Sequence, residues 1–399
     1  MPQVNPSRAP FVGLPVSSSD LCYDGCGMKT QGTIITLFLL LGCFVLTAWA
    51  RNESAATPME ELVSMIPAVS SPEVYFTDWA LLREYEGYEG ISSSSPEEEK
   101  LEFMLSTNQG QAIASGFALG KFAGHAEMWG WDSTDLDWEA HVVATEISPF
   151  YILKFRESFD FSPTLELFAE RGYVQTESHG ALFFSHDLDI TADWLRATEL
   201  SILNVALLLQ DRTMILSSYA GAPISVVATL NGELPPSPYT QVALSLTHQL
   251  GNAAAAVLTL GPGSCLSFSP NPLLDILGET DIDEAYSKLK ESLDARQDLH
   301  PFHGMAVGYR YKNDVPIGFF IFRFPDEASA AEDLVTRKHL AEYGVSKTFE
   351  EPYAESAFVV NEAYTEGANL VLAVSPVGSQ PRRLFHLCYR RDMLFAACP

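Results

Sequence analysis

Between Trp129 and Glu139 the sequence sets three tryptophans (Trp129, Trp131, Trp138) among four carboxylates (Asp132, Asp135, Asp137, Glu139). Indole rings beside carboxylates hold sugars or cationic ligands by stacking and hydrogen bonding. Trp129, Trp131, Asp132, Asp135, Asp137 and Trp138 are therefore the candidate ligand-binding residues. The competing reading packs the tryptophans in a core and uses the acids to cap turns. Two of the acids could instead serve a hydrolase, although spacing along a chain does not set the carboxyl separation that glycoside chemistry needs. Calcium also favours such oxygen density, but the glycine and the D-x-D-x-D-G spacing of an EF-hand loop are missing.

Other chemical motifs are weaker. Gly261-Pro262-Gly263-Ser264-Cys265 puts serine at the wrong offset for a G-x-S-x-G nucleophile elbow. No H-E-x-x-H zinc helix occurs. His300-Pro301-Phe302-His303 brings two imidazoles together without a third ligand, which reads as surface histidines, so neither a metal nor a cofactor is expected. Gly116, Gly120 and Gly124 recur every four residues, the spacing of one helix face that lets another backbone approach. A phosphate cradle would need G-x-G-x-x-G or Gly-Lys-Ser/Thr after a strand.

A chain of 399 residues that is 47% hydrophobic can bury at least one full core. Its 51 acidic and 24 basic residues give a net charge of -27. The first 50 residues hold two of each sign (Asp20, Asp24, Arg8, Lys29), so the excess belongs to the body. A body so charged repels polyphosphate, which argues against nucleic acid as a partner and against direct adhesion of the globular part to anionic lipid.

Residues 1–50 read as a leader. Met28-Lys29 precedes the apolar segment 33–50, and small residues then give way to Arg51, the pattern of a secretory signal. Translation from Met28 would give a signal of ordinary length. Three fates stay open. Ala48-Trp49-Ala50 fits cleavage after Ala50, and Leu40-Leu41-Gly42-Cys43 resembles a lipobox that would lipidate Cys43. The uncharged run from Thr30 to Ala50 would, as a helix at about 1.5 Å per residue, reach roughly 30 Å and could remain as an anchor. Of the six cysteines, Cys265, Cys388 and Cys398 lie in the body. An odd number allows one disulfide, expected between Cys265 and Cys398, against three free buried thiols.

The elements that must position these residues begin after a polar tether at 51–57. Thr57-Pro58-Met59-Glu60 is a capping box, and Ser95-Pro96-Glu97-Glu98 repeats its logic. Val74-Tyr75-Phe76 reads as a strand, Asp78 to Gly87 as a helix, Ala255 to Leu260 as a strand and Glu279 to Leu293 as a helix. Two stretches share an order. Phe150 to Arg156 is a strand, 163–171 a helix, and 204–218 a hairpin; Gly318 to Arg323 is a strand, Asp326 to Tyr343 a helix, and Leu384 to Tyr389 with Met393 to Ala397 a second hairpin. This predicts an α+β fold of two related strand-helix-strand-hairpin units with mainly antiparallel sheets and helices on one face, preceded by the hydrophobic segment. The expected organisation is a leader (1–50), a tether with N-terminal helices (51–110), and units at 111–275 and 276–399.

The run from Trp129 to Glu139 and the closing Tyr389-Arg390-Arg391-Asp392-Met393-Leu394-Phe395-Ala396-Ala397-Cys398 resemble segments of an uncharacterised family of exported bacterial envelope proteins, over much of residues 60–399. The resemblance implies export and a shared fold and assigns no catalytic residue. Sequence alone thus points to an extracytoplasmic protein, secreted or held at the outer face of the cytoplasmic membrane through its N-terminal segment. It would be a non-enzymatic binding or structural module whose ligand or protein partner is unknown. An extracytoplasmic hydrolase using the acids of 132–139 is the alternative.

Overall fold

A computed structural model describes residues 56–108, 122–178, 180–186, 204–261, 264–265 and 299–398. The segment 33–50 with Cys43 and Ala50, the start at Met28, Gly116 and Gly120, and the helix expected at 279–293 lie outside these residues. No helix among the described residues is long and apolar enough to cross a membrane.

Helices α1 (Pro58–Met65), α2 (Trp79–Glu86), α3 (Glu97–Asn108) and α4 (Phe122–Trp129) accompany β1 (Glu73–Asp78) and precede β2 (Leu136–Val143) and β3 (Phe150–Phe155). Next come α5 (Ser162–Glu170), β4 (Val174–Ser178), β5 (Ala181–Ser185), β6 (Val205–Leu208), β7 (Thr213–Ser217), α6 (Gly221–Leu230), α7 (Thr240–Leu250) and β8 (Ala255–Leu260). The rest comprises β9 (Gly304–Lys312), β10 (Val315–Arg323), α8 (Glu327–Tyr343), the short pair β11 (Val345–Ser346) and β12 (Glu351–Pro352), α9 (Tyr353–Ser356), β13 (Phe358–Glu366), β14 (Asn369–Pro376) and α10 (Arg382–Arg390).

Twelve strands form one sheet in the order β13-β14-β10-β9-β8-β1-β2-β3-β7-β6-β5-β4. Every pairing in it is antiparallel. The fold is therefore α+β, as the sequence predicts. The two related units are visible in the connectivity: β8-β9-β10, α8, β13-β14 in the second half mirrors β1-β2-β3, α5, β6-β7 in the first, with β4-β5 added there. The halves meet where β1 pairs with β8. The 51–110 segment thus supplies a central strand as well as helices. A boundary near residue 275 falls outside the described residues, and β8 and β9 on its two sides are hydrogen-bonded neighbours. Residues 56–399 make one compact unit.

Two expectations are corrected. Helices cover both faces of the sheet: α1, α6 and α7 pack on one, and α2, α4, α5, α8, α9 and α10 on the other. The cause is legible in β8, Ala-Ala-Val-Leu-Thr-Leu, which is buried at every position and so needs cover on both sides. The second late hairpin is not at 384–397. Leu384, Phe385, Leu387 and Cys388 recur at helical spacing and are buried, so this stretch forms α10 and a short turn of 3-10 helix, Leu394–Ala396. The hairpin of that half is β13-β14.

Local signals set the ends of the elements. Thr57 and Glu60 complete the capping box of α1, the Asp78 carboxylate accepts from the Leu81 N–H, and Gly87 closes α2 in the left-handed conformation. Cys265 and Cys398 are joined by a disulfide with Cα atoms 5.7 Å apart, leaving Cys388 as a buried free thiol. Next to Cys398, the wholly buried Arg337 of α8 donates to Asp333 at 2.8 Å, to the Phe395 and Ala397 carbonyls at 2.8 and 3.0 Å, and to the His300 carbonyl at 2.9 Å. Disulfide and guanidinium together fasten the C-terminal strand of chain to the body.

Candidate functional site

The tryptophan-carboxylate stretch is a structural joint, which corrects the expectation of an open ligand surface. Trp129 and Trp131 are buried in the core on the α2 side of the sheet, and Trp138 points into the opposite core. Trp129 ends α4 and Trp131 follows it on one side of the sheet, whereas Trp138 leaves β2 on the other, so the three cannot share one ligand. Asp132 caps a 3-10 turn by accepting from the Thr134 N–H, and pairs with Lys100 at 3.2 Å. Asp135 accepts from the backbone N–H groups of Asp132 and Ser93, both at 3.1 Å. Asp137 lies at the surface, 3.4 Å from Arg83, whose guanidinium also donates to the carbonyls of Thr134 and Leu136. These acids fix α2 and α3 to the start of β2. His300 is taken up by Asp333, 2.8 Å from its Nδ1. Among the described residues no group of three or more His, Cys, Asp or Glu side chains is placed to hold a metal.

A different set of polar and aromatic side chains converges on the α10 side of the sheet. In β1, Val74 and Phe76 enter the core shared with α1, so Glu73, Tyr75 and Thr77 face the other way. Register places Tyr75 opposite His141 of β2, and His141 opposite Tyr151 of β3. The rings stack: Tyr151 and His141 have centroids 4.2 Å apart at 5°, His141 and Tyr75 5.9 Å apart at 27°, and Tyr75 and Tyr389 of α10 5.8 Å apart at 14°. Four near-parallel rings thus run from β3 to α10. The Tyr75 hydroxyl donates to Glu73 at 2.9 Å. Tyr389, at the outer end, is 49% exposed.

One row further along the strands, Pro72, Glu73, Val143, Thr259 and Ser264 line a cleft of about 310 Å³. Register again explains the grouping, because Glu73 pairs with Val143 on one side and Thr259 on the other. The Thr259 hydroxyl is buried there without a hydrogen-bond partner. Ser264 is held at the rim by donating to the Gly261 carbonyl and by the neighbouring Cys265 disulfide.

Electrostatics keep the ladder neutral. Burial pushes the His141 imidazole down to about 4, so it is uncharged at neutral pH. Burial and then Glu139 push Tyr151 up to about 12, while burial and then Glu73 raise Tyr75 further. The Cys388 thiol behind the ladder is pushed up to about 12, chiefly by burial, and so stays protonated. These side chains are thus uncharged at neutral pH, and together they form a surface able to stack and to hydrogen-bond. Sequence reading did not find it, since Tyr75, His141, Tyr151 and Tyr389 are far apart in the chain and only strand register brings them together.

No family model matches the chain, and neither does any curated protein. Among solved structures, crystal forms I, III and IV of TP0453 resemble it with TM-scores of 0.38, 0.37 and 0.35 at 8%, 8% and 9% identity. These likenesses cover 85%, 82% and 82% of this chain and 99%, 97% and 95% of the TP0453 chains.

Proposed function

We propose that this chain is an exported, non-enzymatic binding module, delivered across the cytoplasmic membrane by the segment 33–50 and working at its outer face or beyond. The observation that carries the reading is the buried disulfide between Cys265 and Cys398. Disulfides persist in oxidising, extracytoplasmic compartments and are rare where thiols are kept reduced. The leader is consistent with this, with cleavage after Ala50 and lipidation of Cys43 as its competing processing sites. The ladder of Tyr75, His141, Tyr151 and Tyr389 with its cleft supports binding, because its rings stack in series and the last of them, Tyr389, is exposed. A hydrolase built on residues 132–139 has less support, as Asp132 and Asp135 are occupied in caps and buried.

Mass spectrometry of the chain isolated from cells tests the proposal. A mature N-terminus at Arg51, a diacylated Cys43 or an intact segment in the membrane fraction each agree with export. Alkylation of the denatured chain without reductant should modify Cys388 and spare Cys265 and Cys398. Full alkylation of all three, with the chain in the cytoplasmic fraction, would refute it.

A further inference from the structure

The net charge of -27 conceals a local reversal on α10. Residues 382–391 carry Arg382, Arg383, Arg390 and Arg391, four of the chain's 24 lysines and arginines, together with His386 and no acid. Leu384, Phe385, Leu387 and Cys388 hold the helix on the sheet, which turns Arg382, His386 and Arg390 outward at four-residue spacing. They therefore stand about 6 Å apart along one face. His386 reports their closeness: after burial, Arg382 and Arg390 are the next causes that lower its pKa. Arg383 is used internally, donating to the Ser356 carbonyl and lying over the Phe349 ring. The first acid beyond the helix, Asp392, is buried and accepts from Ser346, Lys347 and Thr348. Among the described residues no carboxylate pairs with Arg382, Arg390 or Arg391. At the same surface Tyr389 ends the ring ladder, stacked on Tyr75 and 49% exposed.

We propose that the outer face of α10 with Tyr389 binds a short anionic glycan, a pyranose ring stacking on Tyr389 and its carboxylate or phosphate groups pairing with Arg382, Arg390 and Arg391. The inference rests on the binding-module reading and names the ligand class. Guanidinium forks match carboxylate and phosphate geometry, and an exposed aromatic ring offers the apolar platform a sugar face needs. An oligosaccharide lying on α10 responds mainly to charges within a screening length of about 8 Å, whereas an anionic membrane plane also meets the repulsion of the whole acidic body. The apolar side of α10 is spent on the core, so none is left to insert among acyl chains.

The test is titration of the full chain, purified in a neutral detergent, with tetragalacturonate, maltotetraose and tetraglutamate. Tetragalacturonate should bind at least ~10-fold more tightly than maltotetraose and weaken as salt rises. Combining Arg382→Gln, Arg390→Gln and Arg391→Gln, all exposed, should cost at least ~10-fold, and Tyr389→Ala about 3- to 10-fold. No binding of tetragalacturonate, equal binding by the triple variant, or an unaffected Tyr389→Ala would each overturn the proposal. Equal affinity for tetraglutamate would overturn it in favour of an acidic protein partner. Because the titration uses purified protein, its failure is distinct from a failure of the export reading, which localisation and thiol state decide.

Discussion

Glu139 offers a sharp test of how burial shapes this molecule. It stands in the middle of β2, opposite Thr77 and Leu153, and is completely buried with neither carboxyl oxygen hydrogen-bonded in good geometry. Burial raises its pKa from 4.5 to about 8, with the Trp79 indole N–H opposing the rise. The folded chain therefore keeps a proton that the unfolded chain gives up. Stability must fall as pH climbs from about 4.5 through about 8 and then level off. At about 1.4 kcal/mol per pH unit, the loss reaches ~3 kcal/mol by pH 7 and ~5 kcal/mol above pH 8. Glu139→Gln keeps the shape and abolishes the titration, so the variant should match the native chain at about pH 4.5 and exceed its stability by these amounts at higher pH. Urea unfolding followed by tryptophan fluorescence at about pH 5, 7 and 9 reads the difference through the midpoint, the slope being unchanged. A native-to-variant difference that does not vary with pH, or a variant less stable at alkaline pH, would refute the reasoning.

Three further outcomes follow from the same structure. Arg337→Met takes the guanidinium from the buried Asp333 carboxylate, leaving it to His300, and releases the Phe395 and Ala397 carbonyls, and should cost ~3–5 kcal/mol in urea unfolding. Replacing both Cys265 and Cys398 by serine opens a cross-link between residues 133 apart and should cost ~2–4 kcal/mol, an effect that reductant should reproduce in the native chain during thermal unfolding. The hydrogen bond and charge of Asp333 raise the His300 pKa above 6.5, so the pair stabilises the fold fully below pH 6.5 and fades as pH rises through the raised value. His300→Gln should therefore lower the melting temperature on the acid side only, and a nuclear magnetic resonance titration of His300 should show the raised midpoint.

Local chemistry was legible in the sequence wherever its partners are close in the chain. Thr57 with Glu60, Asp78 with Leu81, and Gly87 at the end of α2 lie within a turn or two of what they cap. The repeated strand-helix order was also legible, because each half carries it within some tens of residues. The stretch 384–397 misled because Leu384-Phe385 and Leu387-Cys388 read equally as an apolar strand; the arginines and His386 between and around them carry the helical period that decides it. The tryptophan stretch misled for another reason. A run of rings and acids looks the same whether it faces solvent or, as here, is split between two cores with its acids spent on Lys100, Ser93 and Arg83.

The position of the ladder follows from how the halves join. β1 opens one half and β8 opens the other, and their antiparallel pairing makes a seam at the centre of the sheet. The structurally related helices that follow β7 and β14 do not end alike: α6 lies on the α1 face, whereas α10 crosses to the other and brings Tyr389 over Tyr75 of the first half. The disulfide then ties the end of the chain just beyond α10 to Cys265, just after β8. Seam, crossing helix and cross-link thus set three rings from the first half against one from the second. A ligand held there would bridge the two halves. Loss of the disulfide should then loosen α10 and weaken binding before it unfolds the sheet, since the ring that α10 supplies is the one most exposed and the arginines beside it belong to the same helix.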